Sequence, residues 1–311
     1  VVAASPADVE AVYGLTGVLG GVAGRLANDG GTLRVRKRSG AIVLEVRYSD
    51  DPPWPASADG GGHSLVLARP SYGEGGARAW AASGLRGGSP GEAEPAEAYG
   101  ATPIVINEVL AHSDPGGSDA IELFNAGLWS VDLSGAILTD DPSTNRYRIP
   151  PGTRLDPGAF AVYGEDELGF GLRAEGETLY LIRADEGQVL DAVVYGGQGP
   201  GVSVGRHPDG QSGFRALGAV TLGGRNARPL TPDVVISEIL YHPILGDGGD
   251  EFVEIWNRSG MVQDVGGWRL TGGIEYTMPA PTVLPAGGGV VVARSAARLK
   301  AVHPGLAVAV V

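Results

Sequence analysis

The sequence predicts an all-β protein made of tandem sandwich-type units, and three observations carry that expectation. Glycine and proline number 52 and 22 in 311 residues, with no collagen-like period. That density suits many short strands joined by tight turns. Apolar runs of strand length, such as Ile104 to Leu110 and Ile121 to Asn125, are bounded by Gly, Pro, Asp and Ser. The same runs also recur in the same order along the chain, which marks a repeated unit. Hydrophobic residues make up 43% of the chain, enough to fill cores, and the length suits about two to three domains.

From the amino terminus, Val1-Val2-Ala3-Ala4 reads as a strand. Ser5 to Val12 reads as a helix, because Ser5-Pro6-Ala7-Asp8 sets a capping residue before a first-turn proline. Arg25-Leu26-Ala27-Asn28-Asp29-Gly30-Gly31-Thr32-Leu33 leads into a hairpin that turns at Ser39-Gly40 and returns through Val43 to Tyr48. Its cluster Arg34, Arg36, Lys37 and Arg38 is expected to be a solvated hairpin face, with a local anion site as the alternative. A Gly-, Ser- and Pro-rich linker follows around 88–95.

The middle of the chain opens with Val105-Ile106-Asn107-Glu108-Val109-Leu110-Ala111-His112, which returns as Val235-Ile236-Ser237-Glu238-Ile239-Leu240-Tyr241-His242. Asp119-Ala120-Ile121-Glu122-Leu123-Phe124-Asn125 is answered by Glu251-Phe252-Val253-Glu254-Ile255-Trp256-Asn257. Val131-Asp132-Leu133-Ser134-Gly135 and Gln263-Asp264-Val265-Gly266-Gly267 come next, each followed by Pro-x-x-Thr-x-Leu. The later half of the unit repeats the opening of the chain. Gly171 to Leu179 parallels Arg25 to Leu33, Leu190 to Tyr195 parallels Val43 to Tyr48, and Ser203-Val204 parallels Ser64-Leu65. Residues 101–228 are thus one complete unit, 1–95 the later part of one, and 232–311 the earlier part of another. The two ends even overlap, since Val1 to Tyr13 matches Val291 to His303 without a gap, so Ser295 to Val302 is a second helix candidate. Such ends are expected of a window on a longer array.

These strings resemble the lamin tail domain family in its bacterial branch. Ile106-Asn107-Glu108, Ile121 to Asn125, Val131 to Gly135 and Tyr147-Arg148-Ile149-Pro150 carry the likeness. Gly176-Glu177-Thr178-Leu179-Tyr180, Val202 to Arg206, Asp250 to Ile255 and Gly267-Trp268-Arg269-Leu270 extend it over nearly the whole chain. The resemblance implies immunoglobulin-like sandwiches of two antiparallel sheets. It also implies an extracellular or cell-surface setting, in large secreted proteins that often carry spore-coat-H-type kinase, nuclease or other hydrolase domains. The family has no assigned active site. One departure is Ala136, where the last unit has the aromatic Trp268.

Composition narrows the chemistry. A net charge of −13 disfavours nucleic acid and anionic membranes as partners. No cysteine is present, which excludes disulfides, thiolate metal sites and thiol catalysis. No signal peptide is expected where the first residues already read as strand. The apolar stretch Val290 to Val311 is broken by Arg294, Arg298 and Lys300, so no membrane insertion is expected. Gly60-Gly61-Gly62-His63-Ser64 lacks the lysine and helix of a phosphate loop and reads as a flexible turn. Val202-Ser203-Val204-Gly205 is followed by strand, unlike a nucleophile elbow. His207 and Asp209 fall on a Pro208-Asp209-Gly210 turn rather than in a triad. No catalytic residue is expected.

Binding chemistry is more open. His112 and His242 end matching strands and are expected to pack on loops. Glu108, Glu122, Glu238 and Glu254 lie within apolar strands, and Glu122 and Glu254 are expected to accept hydrogen bonds from nearby loop backbone. Asp247, Asp250 and Glu251 are the candidate ligands for Ca²⁺, which takes six to eight oxygens from acidic, Gly-rich loops. Asp114 and Asp119 form a similar loop cluster. Trp54, in Pro52-Pro53-Trp54-Pro55, is the candidate ligand platform for a glycan, while Trp268 is expected in a core.

The partial units point to partners. Half a sandwich leaves an apolar sheet face in water, and covering five Val, Leu or Ile side chains contributes on the order of 10 kcal/mol. That rivals the stability of a whole domain. The halves therefore stay partly disordered, complete one another within the chain, or do so between chains as a homo-oligomer or filament. The expectation is a structural or adhesive segment; the alternative is a Ca²⁺- or glycan-binding accessory module serving an enzyme domain elsewhere.

Overall fold

The computed structural model describes residues 1–92, 103–114, 116–244, 248–306 and 309–311. The chain divides into two units, Val1–Leu230 and Thr231–Val311.

The first unit opens with β1 (Val2–Ala3), helix α1 (Pro6–Tyr13) and β2 (Leu19–Gly20), the two strands pairing in parallel. The helix lies where Ser5-Pro6 placed it. Hairpin β3 (Gly31–Arg36) and β4 (Ile42–Tyr48) follows, its turn closed by Lys37 N donating to Ala41 O at 2.8 Å. Glu45 holds Arg34 and Arg47, so part of the basic face is spent on an ion-pair cluster at the surface. β5 (Leu65–Leu67) and β6 (Trp80–Ala82) form a second hairpin.

The middle of the chain builds a complete sandwich. Its strands are β7 (Ile104–Leu110), β8 (Ala120–Asn125), β9 (Val131–Asp132), β10 (Ile137–Thr139), β11 (Tyr147–Arg148), β12 (Arg154–Leu155) and β13 (Phe160–Gly164). A single helical turn, α2 (Glu165–Leu168), precedes β14 (Gly176–Ile182), β15 (Val189–Gly196), β16 (Val204–Arg206) and β17 (Phe214–Ala216). Sequence pattern missed α2, because four residues are too few to show a helical period. One sheet runs β13-β8-β7-β16-β17 and the other β11-β10-β14-β15. Alternation puts Ile104, Ile106, Val109, Ile121 and Leu123 of the first sheet against Leu138, Leu179, Leu181 and Val193 of the second. These side chains are the core. Ile137, Tyr180, Ile182 and Val189 point out of the second sheet and are still buried. Tyr180 Oη donates to Asp59 O at 2.5 Å, which places the 55–63 segment beside that outer face.

The second unit contains β18 (Val234–Leu240), β19 (Phe252–Asn257), β20 (Gln263–Asp264), β21 (Arg269–Leu270), β22 (Tyr276–Thr277) and β23 (Val283–Leu284). It ends with β24 (Gly288–Ala293), α3 (Ala296–Val302) and β25 (Ala309–Val310). Ser295 caps α3 by accepting from Arg298 N. Ile255, Val265, Met278, Leu284, Val290 and Val292 form its core. Trp268 corrects an expectation: it is 53% exposed, not core. It precedes β21, which pairs with β22 alone among the described residues. No helix among the described residues is long and apolar enough to cross a membrane.

Candidate functional site

The polar groups that converge most closely lie on the outer face of the β13-β8-β7-β16-β17 sheet. A bulge between Ile106 and Glu108 breaks the β7–β8 alternation. Asn107 and Glu108 therefore leave the core side together, and Glu108 pairs with Glu122 across the ladder. The loop after β17 roofs both carboxylates. Glu108 accepts from Ser203 Oγ at 2.5 Å, Thr221 N at 2.9 Å and Thr221 Oγ1 at 2.9 Å. Glu122 accepts from Asn107 Nδ2 at 2.9 Å and from Gly223 N at 2.6 Å. Gly223 has φ +86°, which glycine adopts without strain and which points its N–H at the carboxylate.

Asp209 completes the arrangement, accepting from Asn107 Nδ2 and Asn226 N, while Asn226 Nδ2 bridges the carbonyls of Asn107 and Arg206. Asn107, Glu108 and Glu122 are sealed from solvent. Burial is the largest cause pushing the Glu122 carboxyl up to about 7; the Asn107 and Gly223 hydrogen bonds oppose it, and the Glu108 and Asp209 charges add to it. Below that pH the group is a neutral acid locked in a roof. Its donors are chain groups throughout.

A second polar knot ties the two sheets. Arg206 donates from Nη2 to Asp191 Oδ2 at 2.9 Å, from Nε to Ile106 O at 2.8 Å and from Nη1 to Gln211 O at 2.8 Å. Asp191 Oδ2 also accepts from Ile106 N at 2.7 Å.

His63 corrects the flexible-turn expectation. Gly60 and Gly62 take positive φ as a turn requires, but His63 is buried and bonded on both ring nitrogens. Nε2 accepts from Val189 N at 2.9 Å, which leaves Nδ1 to donate to Ser83 O at 2.7 Å. This imidazole fastens the amino-terminal segment to β15. A histidine beside three glycines carries no sequence signal of that role.

The other candidates are placed as follows. His112 lies just after β7, its Nδ1 donating to Gln198 O at 3.1 Å. His242 is exposed. Asp119 caps Ser113 N and Leu172 N, at 3.4 and 3.3 Å. Glu254 accepts from Ser237 Oγ at 2.5 Å, a side chain rather than the expected loop backbone, because its strand has no roof like that of Glu122. Asp250 holds Arg298 through both oxygens and Glu251 pairs with Arg294 at 3.3 Å; Asp247 lies outside the described residues. Among the described residues no group of three or more acidic or histidine side chains converges as a metal site. Trp54 is half-buried and packs on Trp80, ring centroids 6.2 Å apart. Ser203 and Asp209 are engaged in the roofed network, apart from His207.

A family model described as Lamin Tail Domain matches residues 97–197 and 228–308, more than half of the chain. No curated protein and no solved structure matches.

Proposed function

Because the chain belongs to the lamin tail domain family, a family of non-enzymatic immunoglobulin-like domains, we propose that it is a non-catalytic structural and adhesive segment of a large exported protein. Its terminal pieces make the protein–protein contacts. One observation carries this: the side chains best suited to acid–base work are used up inside the fold. A general acid or base must come within hydrogen-bond reach of its substrate. Glu108 and Glu122 are 0% exposed and meet backbone amides, hydroxyls and an amide side chain of their own unit. The upward shift of Glu122 follows from that burial, not from a cleft. Arg206 and Asp191 likewise spend their bonds joining sheets. The fold is stabilised by its polar groups, as a spacer requires.

Incubation of the full chain with ester, phosphodiester and glycoside substrates tests this. No turnover is expected. Turnover that disappears in Glu122→Gln would overturn the proposal. Export is tested by antibody labelling of intact source cells, where labelling is expected before permeabilisation; labelling confined to permeabilised cells removes that part.

A further inference from the structure

We propose that the outer edge of β13 in the middle sandwich is a strand-addition site. It takes an extended, uncharged segment of small and apolar residues from a partner protein, running parallel to β13. The proposal goes beyond the contacts of the terminal pieces, because it concerns the complete unit.

The same edge occurs at three places in the chain. Glu122 lies opposite Val162 in the β8–β13 ladder, and its counterpart Glu254 lies opposite Val291 in β19–β24. Val162 and Val291 therefore hold the same position. Val1 is the third copy, since Val1 to Tyr13 matches Val291 to His303. At two of these places a strand is added. β25 runs parallel to β24, with Val311 N donating to Val291 O at 2.9 Å and Ala293 N donating to Val311 O at 2.9 Å. β2 runs parallel to β1, and Leu19 N donates to Val1 O at 3.0 Å. The same carbonyl holds the added strand in both.

The middle unit has no segment to supply that strand. In the other two copies the chain passes through a helix, α1 or α3, before it returns along the edge. Arg25 lies 24 positions after Val1, but its counterpart Gly171 lies only nine positions after Val162. The helix shrinks to the single turn α2, and the chain goes straight on to β14. Among the described residues β13 pairs with β8 alone.

The backbone polarity of the edge follows from the ladder. Asn125 N donates to Ala159 O at 3.1 Å at one end, and Glu165 N donates to Asp119 O at 2.9 Å at the other. The register between them has no shift, so Ala161 and Tyr163 turn their N–H and C=O toward β8. Phe160, Val162 and Gly164 turn theirs outward. Val162 O and Gly164 N are the counterparts of Val291 O and Ala293 N, the two groups that hold Val311. Acceptor and donor stand at the same spacing in the middle unit.

The edge also lacks the devices that keep edge strands from pairing, which are charges, proline or a bulge. Phe160-Ala161-Val162-Tyr163-Gly164 contains no charge and no proline, its register is unbroken, and Val162 is exposed. Main-chain hydrogen bonds to such an edge supply affinity, and the side chains of the added strand supply selectivity. The strands that occupy the other two copies define those side chains. Leu19-Gly20 and Ala309 to Val311 are small or apolar and uncharged, and Val311 packs on the core of its unit. Glu165, Asp166 and Glu167 stand exposed just beyond β13, so an acidic continuation of the partner strand is disfavoured.

The probe is a fluorescein-labelled peptide with the sequence of residues 304–311, Pro-Gly-Leu-Ala-Val-Ala-Val-Val, followed by two lysines for solubility. Fluorescence anisotropy during titration with the full chain is expected to show saturable binding. Gly164→Pro removes the outward N–H and sets a ring in its place, and φ −83° at Gly164 suits proline. A Cβ at Gly164 meets nothing closer than 3.8 Å, so Gly164→Ala is the control that keeps the donor. Gly164→Ala is expected to bind as the wild type does, and Gly164→Pro to bind weaker by about tenfold or more. A peptide N-methylated at the valine matching Val311 lacks the amide aimed at Val162 O and leaves the protein untouched; it is expected to lose binding to the same extent. No saturable binding, or undiminished binding by Gly164→Pro or by the methylated peptide, would overturn the proposal. So would self-association in sedimentation that Gly164→Pro abolishes while the peptide stays unbound, since that assigns the edge to a second copy. None of these outcomes bears on turnover or on cell labelling, so the two proposals fail separately.

Discussion

Glu108 and Glu122 are register partners across the β7–β8 ladder, yet different segments hold them. Among the described residues Ser203 and Thr221 donate to Glu108, whereas Asn107 and Gly223 donate to Glu122. Two carboxylates on one sheet face thus pin β16 and the loop after β17 onto β7 and β8.

The first consequence is a pH dependence. The Glu122 carboxyl is pushed from its ordinary 4.5 up to about 7, chiefly by burial. Between those values the folded chain keeps a proton that the unfolded chain has lost. Stability from this group is therefore full below pH 4.5 and is lost as pH rises through about 7. Over that window the wild-type unfolding free energy should fall by about 3 kcal/mol more than that of Glu122→Gln. Urea melts at a series of pH values measure it; parallel slopes for both proteins would refute it.

Thr221→Val removes one hydroxyl donor to Glu108 and leaves the backbone donor in place. A hydrogen bond to a charged acceptor contributes about 1.5–3 kcal/mol. The variant should lose about 2 kcal/mol in chemical denaturation. In a Glu108→Gln background the same substitution should cost less, because the charged partner is gone.

Arg206→Met leaves Asp191 with a buried charge and no cation. Breaking such a pair from one side costs about 3–5 kcal/mol. Adding Asp191→Asn should recover part of that loss. Guanidinium unfolding of both single variants and the double variant reads the coupling, and strict additivity would count against the pair.

His63→Ala should expose one backbone amide in particular. Val189 N donates to His63 Nε2, so its hydrogen exchange is expected to quicken in the variant, while Leu179 and Leu181 deep in the core keep wild-type protection. Unchanged exchange at Val189 would show that the imidazole does not fasten the segment.

Much of the fold was legible beforehand. Strands at Ile104 to Leu110 and Ile121 to Asn125, the hairpin turning at Ser39-Gly40 and both longer helices follow from period, turn residues and capping pattern. The carboxylate site was half legible. Its glutamates stand out as charges inside apolar strands, and the loop donor to Glu122 was expected, but Thr221 and Gly223 lie about a hundred residues away. His63 and the Arg206–Asp191 pair carried no signal, because their partners are set by docking of one segment on another.

Glu108 and Glu238 show where local pattern ends. Both follow a bulge in a strand of the same spacing, so side-chain alternation and turn chemistry dictate strand, register and outward direction alike. Their environments differ completely: Glu108 is sealed under Ser203 and Thr221, and Glu238 faces water. Alternation is a property of neighbouring residues, whereas burial depends on which distant strand and loop pack over the face. That choice is made by apolar area and hydrogen bonds between segments, so it appears only when the chain is folded.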